Sequence, residues 1–180
     1  MTKRKIDFSD YANAITKALP QGILLTTKAG EKVNSMVIGW GAVGVNWAKP
    51  VMTVFVRETR YTRTMLEQNP EFTVNVPIGE YDRKIIGICG SRSGRDMDKI
   101  KEAGLTPVEP DTISVPGLKE FPLTLECRVI YSQKQEIGAI GEDIISDFYP
   151  LLEEKTAAGD ERDVHTTYFG EIVDAYIIEE

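Results

Sequence analysis

The alternation of apolar and polar residues along the chain predicts a protein built mainly of β-strands. Residues 8 to 18 carry apolar side chains at helical spacing, and Pro20 ends that pattern, which predicts a short amphipathic helix capped by Ser9 or Asp10. After Pro20 the pattern changes to short runs that are rich in β-branched residues and bounded by Gly, Pro or Asn. These runs predict strands over residues 23–27, 33–38, 51–56, 72–76, 123–132 and 165–178.

Helical patterns are fewer and lie between these strands. They cover residues 60–68, 81–88, 96–103 and 142–154. The connections between strands are mostly too short for repeated crossover helices, which favours an antiparallel barrel over a parallel sheet. No repeat, low-complexity tract or long Pro/Gly/Ser linker interrupts the sequence, so residues 1–180 are predicted to form a single domain, a β-barrel with peripheral α-helices.

Composition and charge narrow the classes of partner. Hydrophobic residues make up 42% of the 180 residues and charged residues 27%, which is typical of a folded globular protein. The net charge of −7 argues against nucleic acid and against anionic membranes as partners, because both are bound through clustered Lys and Arg. No apolar stretch reaches the ~20 residues that span a bilayer, and the basic start has no apolar signal region after it, so we expect a cytoplasmic protein.

The small number of cysteine and histidine residues argues against a metal site. Cys89 and Cys127 lie too far apart in sequence for a C-x-x-C pair, and a reducing compartment would leave both as thiols. With one histidine, a Cys2His2 zinc site is excluded by count, and any site using all three residues would need a carboxylate. We therefore expect no metal.

The glycines between Gly39 and Gly44 match G-x-G-x-x-G and follow a predicted strand. In a dinucleotide fold a helix must begin at those glycines, whereas here Pro50 and another strand follow within a few residues. The segment fits better as a place where backbone approaches a flat ligand or a neighbouring strand, or as a bulged corner of a barrel.

Two later segments are rich in hydrogen-bond donors. In residues 56–63 an apolar strand ends, Thr59 stands at an N-cap position and a helix pattern follows, which suits a monophosphate at a helix N-terminus or, alternatively, an exposed basic turn. Residues 89–96 hold glycines and serines that could form an anion-binding loop, or a flexible connection before a helix capped near Asp96. The Walker spacing is absent, which removes the case for a nucleoside triphosphatase.

His165, the only histidine, begins the last predicted strand. No G-x-S-x-G elbow accompanies it, so a hydrolase triad is not indicated. It could donate to or position a redox substrate near neutral pH, or it could be structural.

Six segments in this order resemble the flavin reductase-like family of FMN-binding split barrels, and its flavoredoxin branch in particular. They are ALPQG (18–22), NSMVIGWG (34–41), RETRYT (57–62), FTVNVP (72–77), CGSRSGRDMDK (89–99) and HTTYFGEI (165–172). The resemblance implies a mainly β, antiparallel Greek-key split barrel that forms a homodimer with FMN near the subunit interface. It also implies NADH or NADPH as co-substrate, or a redox protein as partner.

The resemblance also implies which residues contact the flavin. The isoalloxazine would lie against the strand with Asn34, Ser35, Met36 and Trp40, and the loop 89–96 with Lys99 would close over it, while His165 would face the reactive side as the catalytic residue. The phosphate would meet Arg57, Thr59, Tyr61 and Thr62. The cofactor-binding residues implied are Asn34, Ser35, Met36, Trp40, Arg57, Thr59, Arg60, Tyr61, Thr62, Cys89, Gly90, Ser91, Ser93, Gly94, Asp96 and Lys99.

One stretch departs from the family pattern. Residues 150–164 are longer and more acidic than the short approach to the histidine that is common in the family, and Val164 stands where an aromatic residue is frequent. The implied activity is hydride or electron transfer through FMN in an NAD(P)H-linked flavin reductase. The alternatives are an FMN-binding electron-transfer protein without nicotinamide activity, and a split barrel that has lost its flavin.

Overall fold

The computed structural model describes residues 1–179, in which antiparallel strands cover more residues than helices do. The strands are β1 (Thr2–Lys5), β2 (Ile23–Ala29), β3 (Lys32–Ile38), β4 (Gly41–Asn46), β5 (Lys49–Arg57), β6 (Glu71–Val76), β7 (Pro107–Val108), β8 (Gly117–Leu118), β9 (Leu123–Lys134) and β10 (His165–Glu179). The helices are α1 (Phe8–Ala18), α2 (Tyr61–Gln68), α3 (Lys84–Ser91), α4 (Lys99–Glu102) and α5 (Glu142–Phe148), with 3-10 turns at Leu19–Gln21 and Ile137–Ala139.

One sheet of eight strands forms the frame of the molecule. Its order is β3-β2-β6-β9-β10-β5-β4, and β1 pairs with the second half of β10 beyond the end of β5. Every pairing is antiparallel, as the short connections predicted. Strands β7 and β8 form a separate two-stranded ribbon.

Strand β10 is long and curved, which lets one strand serve three neighbours. Its register against β9 shifts between Phe169 and Gly170 and again between Ile172 and Asp174, and such bulges bend a strand. A side chain at Gly170 would lie 2.4 Å from the ring of Phe72, so the bend brings the backbone directly onto this core aromatic. The predicted β-barrel with peripheral helices is confirmed.

Two hydrophobic clusters lie on opposite faces of the sheet. The larger fills the inside between the strands and α1, with Phe72, Leu125 and Met52 fully buried. The smaller packs α3 and the turn after α4 against the outer side of β2. Asn75 is fully buried, and its amide contacts three threonine hydroxyls and the Leu118 backbone N–H, which ties β8 to the sheet.

The predicted strands are confirmed, and the helix ends and caps need correction. Asp7, not Ser9 or Asp10, caps α1 by accepting from the Ser9 N–H at 2.9 Å. Asp98, not Asp96, caps α4. Helix α5 ends at Phe148, well before the predicted end at residue 154.

The glycine-rich segment after β3 is the edge strand β4, which the sequence patterns did not predict as a strand. No helix begins there, so the dinucleotide motif is a chance match, as its context indicated. A side chain at Gly41 would lie 3.0 Å from the Thr53 carbonyl, which explains the glycine as a close approach of backbone to a neighbouring strand. Trp47 and Ala48 form the turn to β5 with φ of 51° and 57°, where glycine or asparagine is usual.

Candidate functional site

A groove runs along β3 and consists of two adjoining pockets of about 180 Å³ each. Met36, Val37 and Arg60 line both pockets, so the two are continuous. The first, which we call the cationic cavity, is lined by Asn34, Met36, Val37, Thr59, Arg60, Tyr61, Thr62, Cys89, Gly90, Ser91, Arg92, Ser93, Gly94, Arg95 and Lys99. The second, which we call the aromatic pocket, is lined by Met36, Val37, Ile38, Gly39, Trp40, Phe55, Arg57, Arg60 and His165.

Asn34 and Gly94 form the tightest part of the cationic cavity. The Asn34 side chain is buried and its Nδ2 donates to Thr62 Oγ1 at 3.1 Å. Its Oδ1 is buried without a hydrogen-bond partner, which is costly for a polar atom. A Cβ built on Gly94 would stand 2.1 Å from that oxygen, so only glycine lets the loop pass over Asn34. The cavity therefore presents an acceptor that is ready for a ligand donor.

Positive charge gathers at this cavity although the chain as a whole is acidic. Arg60, Arg92 and Arg95 line it. The Lys32 ammonium lies 4.8 Å from the centroid of the Tyr61 ring, and the Arg95 guanidinium lies 5.4 Å from it. Lys32 also donates to the Gly94 carbonyl at 2.6 Å, and these contacts hold the loop at the cavity mouth.

Helix α2 begins at the same cavity. Its N-cap is Arg60, without a side-chain cap, rather than Thr59 as predicted. The first backbone N–H groups of a helix lack intrahelical acceptors and carry partial positive charge. Tyr61 and Thr62 are its first two residues and both line the cavity, so these donors add to the surrounding arginines in favouring an anion.

Lys99 fixes two backbone carbonyls of the segment that lines the cavity. Its side chain is buried, and its ammonium donates to the carbonyls of Cys89 at 2.8 Å and Arg92 at 3.1 Å. Burial lowers the pKa of Lys99, because the charged form loses hydration. Burial also raises the pKa of the Cys89 thiol, which makes Cys89 a packing residue rather than a nucleophile.

Arg57 lies away from the position predicted for it at the phosphate end. It lines the aromatic pocket, and its guanidinium donates to the carbonyls of Asp163 at 2.6 Å and Phe148 at 3.0 Å. The Asp163 carboxylate in turn accepts from Thr59, at 3.1 Å from its N–H and 2.7 Å from its hydroxyl. Arg57 and Thr59 thus fasten the segment 148–163 beside the groove, and the cations at the anion end are Arg60, Arg92 and Arg95.

The aromatic pocket is built around His165. The imidazole lies 5.2 Å from Trp40 and 6.5 Å from Phe55 between ring centroids, and only 6% of the residue is exposed. Burial and then the nearby charge of Arg57 lower the pKa of His165 to about 4. This direction favours the uncharged ring over an imidazolium at neutral pH. Tyr149 Oη lies 2.8 Å from His165 Nδ1 behind the pocket.

Two predicted site residues do not line the groove. The Ser35 hydroxyl lies 3.1 Å from Thr26 Oγ1 on the other face of β3, because alternate side chains of a strand point to opposite faces. Asp96 is exposed in the turn before α4 and lines neither pocket. Ser91 and Ser93 line the cavity, but Ser91 Oγ donates to the Gly87 carbonyl and Ser93 Oγ accepts from the Arg95 N–H.

Sequence patterns missed several residues of the groove. Val37, Arg92 and Arg95 line it, and the adjacency of Arg92 and Arg95 to the predicted loop glycines was the available signal. Tyr149 carried no signal, because it lies outside the matching segments, immediately before the stretch 150–164 that departs from the family pattern. Within residues 1–179, no group of three His, Cys, Asp or Glu side chains could hold a metal ion, and no helix is long and apolar enough to cross a membrane.

The chain is an antiparallel barrel with a groove that is cationic at one end and aromatic at the other, an arrangement suited to a flat ligand with an anionic group. The chain belongs to the flavin reductase like domain family, whose model matches residues 16–180. The resemblance inferred from the six sequence segments is therefore confirmed.

Comparison with individual proteins agrees with this assignment. A protein of Archaeoglobus fulgidus without an assigned function is 31% identical over 122 residues, which are 68% of this chain and 68% of that protein. The structure of flavoredoxin from Methanosarcina acetivorans is similar with a TM-score of 0.61 and 26% identity, covering 88% of this chain and 68% of that one. Flavoredoxin of Desulfovibrio vulgaris has the same fold, with a TM-score of 0.63 and 24% identity over 88% of this chain and 69% of that one.

Proposed function

We propose that residues 1–180 act as a single domain that binds FMN in the β3 groove and serves as an NAD(P)H-linked, flavin-dependent oxidoreductase. The observation that carries this proposal is the continuity of the groove, because Met36, Val37 and Arg60 join an anion-attracting end to an aromatic end. A ligand that combines a phosphate with a flat ring system matches both ends.

The residues present fit this cofactor. The unpartnered Asn34 Oδ1 needs a donor, and both the ribityl hydroxyls and the ring N–H of FMN are donors. Arg60, Arg95 and the start of α2 would hold the phosphate. Arg57 has a different role in this proposal: it holds the segment 148–163 beside the ring.

The protein's own part in the reaction is to orient and shield. When bound, FMN supplies hydride and electron transfer, while the chain supplies binding and electrostatics. Met36 and Val37 line the middle of the groove, where a flat ring would displace water. His165 stays uncharged beside the ring end, and no side chain of the groove is needed as a nucleophile.

We also propose a homodimer that completes the aromatic pocket. Trp40 is 42% exposed and Phe148 is 44% exposed, and their rings meet edge to face with centroids 5.2 Å apart. Large exposed aromatic side chains beside a ligand groove are typical of a surface that a partner covers. A second copy of the chain would cover them and narrow the mouth of the groove.

An absorption experiment tests the proposed activity. The purified full chain, loaded with FMN, is expected to show flavin bands that bleach when NADH or NADPH is added without oxygen. Bands that persist would instead favour an FMN-binding electron-transfer protein without nicotinamide activity of its own. A colourless protein that does not bind added FMN would refute both.

A further inference from the structure

Three side chains form a hydrogen-bonded chain behind the aromatic pocket. Gln135 follows β9, Tyr149 follows α5 and His165 begins β10. Tyr149 Oη lies 2.9 Å from Gln135 Oε1 and 2.8 Å from His165 Nδ1, and Gln135 Oε1 lies 3.3 Å from the His165 backbone nitrogen. These contacts together fix where each proton lies.

The orientation of the Gln135 amide follows from the backbone. The backbone N–H of His165 can only donate, so the Gln135 amide atom that faces it must be the oxygen. The Gln135 backbone N–H also donates to the His165 carbonyl at 2.9 Å, which holds the two residues side by side. The Gln135 oxygen is therefore an acceptor for the tyrosine as well.

The tyrosine proton then decides the histidine tautomer. A phenol has one proton, and Tyr149 donates it to Gln135 because the Gln135 oxygen, 2.9 Å away, has no proton of its own for this contact, whereas His165 Nδ1 can carry one. The Tyr149 oxygen is left as an acceptor toward His165 Nδ1, which must carry the proton at that contact. Burial raises the pKa of Tyr149, so the phenol keeps its proton at neutral pH.

Tyr149 is itself held in place on two sides. Arg162 donates to its carbonyl, and the Arg57 guanidinium lies 5.3 Å from the centroid of its ring. His165 lines the aromatic pocket, and no group within residues 1–179 hydrogen bonds to its Nε2. The nitrogen left for a ligand is thus Nε2.

We propose that Tyr149 and Gln135 are positioning residues that hold His165 as the Nδ1–H tautomer, so that Nε2 is a hydrogen-bond acceptor for a ligand with an N–H donor. This inference rests on the proposed function when it names the ligand class, which is the carboxamide of a reduced nicotinamide. A carboxamide offers two N–H donors beside the carbon that gives the hydride. Ligands that present only a carbonyl to Nε2 would meet two facing acceptors and bind less well.

The tautomer can be measured without any ligand, because the chain has one histidine. In protein labelled with ¹⁵N-histidine, long-range proton–nitrogen spectra at pH 7.5 distinguish a protonated from an unprotonated ring nitrogen. We expect protonated Nδ1 and unprotonated Nε2 in the wild type, and a mixture or the opposite tautomer in Tyr149→Phe and Gln135→Leu. Tyr131→Phe is the matched control, because that hydroxyl donates to Gln133 at 2.8 Å on the surface of β9. Protonated Nε2 in the wild type would overturn the proposal.

The ligand class is tested with a donor-free analogue. Reduced 3-acetylpyridine adenine dinucleotide keeps the carbonyl and replaces the carboxamide nitrogen with a methyl group. We expect the preference for NADH over this analogue, as the ratio of kcat/KM values, to fall about three- to tenfold in Tyr149→Phe and to stay unchanged in Tyr131→Phe. An unchanged preference in Tyr149→Phe would overturn the ligand assignment. If the FMN-loaded protein does not oxidise NADH, the proposed function fails, whereas the imidazole spectrum still decides the tautomer.

Discussion

Gly94 is the residue at which the smallest change should have the largest effect on the groove. In Gly94→Ala the new methyl group would stand 2.1 Å from Asn34 Oδ1 and 2.9 Å from the Tyr61 ring. Contacts that short do not occur, so either Asn34 or the loop must move by about 1 Å. The loop is held by the Lys32 contact to the Gly94 carbonyl, and Asn34 is held by its 3.1 Å bond to Thr62.

The cost can be estimated from these contacts. Loss of the Asn34–Thr62 hydrogen bond costs about 1 kcal/mol, and an off-rotamer side chain costs about another 1 kcal/mol. FMN binding that needs Asn34 in its present position would be weakened by about 2 kcal/mol. This corresponds to a dissociation constant for FMN that is roughly thirtyfold larger.

Quenching of FMN fluorescence on titration with protein measures that constant. Gly87→Ala is the control, because Gly87 lies in α3 with no atom within 4 Å of the added methyl group, and alanine favours a helix by about 1 kcal/mol. The control should keep its affinity and melt at a slightly higher temperature. A Gly94→Ala protein that folds normally and binds FMN within threefold of the wild type would refute this account of the cavity.

Three further predictions concern buried polar groups. The pKa of His165 is lowered to about 4 from an ordinary 6.5, so the unfolded chain takes up a proton first as pH falls. His165 should therefore lower the free energy of unfolding by about 1 kcal/mol between pH 7.5 and 5.5, as measured by urea unfolding of wild type and His165→Gln. Asn75→Ala should destabilise the fold by about 3 kcal/mol in urea unfolding, because it leaves the Leu118 N–H and buried hydroxyls unpaired, while FMN affinity stays unchanged. Lys99→Met should speed hydrogen exchange in residues 89–95 about tenfold by mass spectrometry, since two carbonyls lose their donor.

Each of these predictions has a result that would contradict it. The histidine prediction fails if wild type and His165→Gln lose the same stability on acidification. The Asn75 prediction fails if Asn75→Ala unfolds within about 1 kcal/mol of the wild type. For Lys99, the matched control is Lys101→Met on the exposed side of the same helix. Equal exchange rates in the two variants would show that the Lys99 ammonium does not stabilise residues 89–95.

Much of the fold was readable from local patterns. Strands such as Phe72 to Val76 and the helix from Phe8 showed their type through spacing of apolar residues, because side-chain direction repeats every two residues in a strand and every 3.6 in a helix. The donor-rich segments that hold Tyr61 and Gly94 marked the groove in the same local way, whereas Asn34 was placed there by the resemblance to the family. Strand β4 escaped detection because its glycines hid the alternation.

The sequence by itself therefore determined six of the strands, their apolar faces and, through the resemblance, the family's groove. Only the tertiary structure decided which groups meet, as when Arg57 reaches the Asp163 carbonyl 106 residues away rather than the anion end. The contact of Tyr149 with His165 likewise depends on where α5 ends and on the pairing of His165 with Arg57 between β10 and β5. The register of the strands and the path of the loops are set by packing over the whole sheet. No short stretch of sequence contains that information.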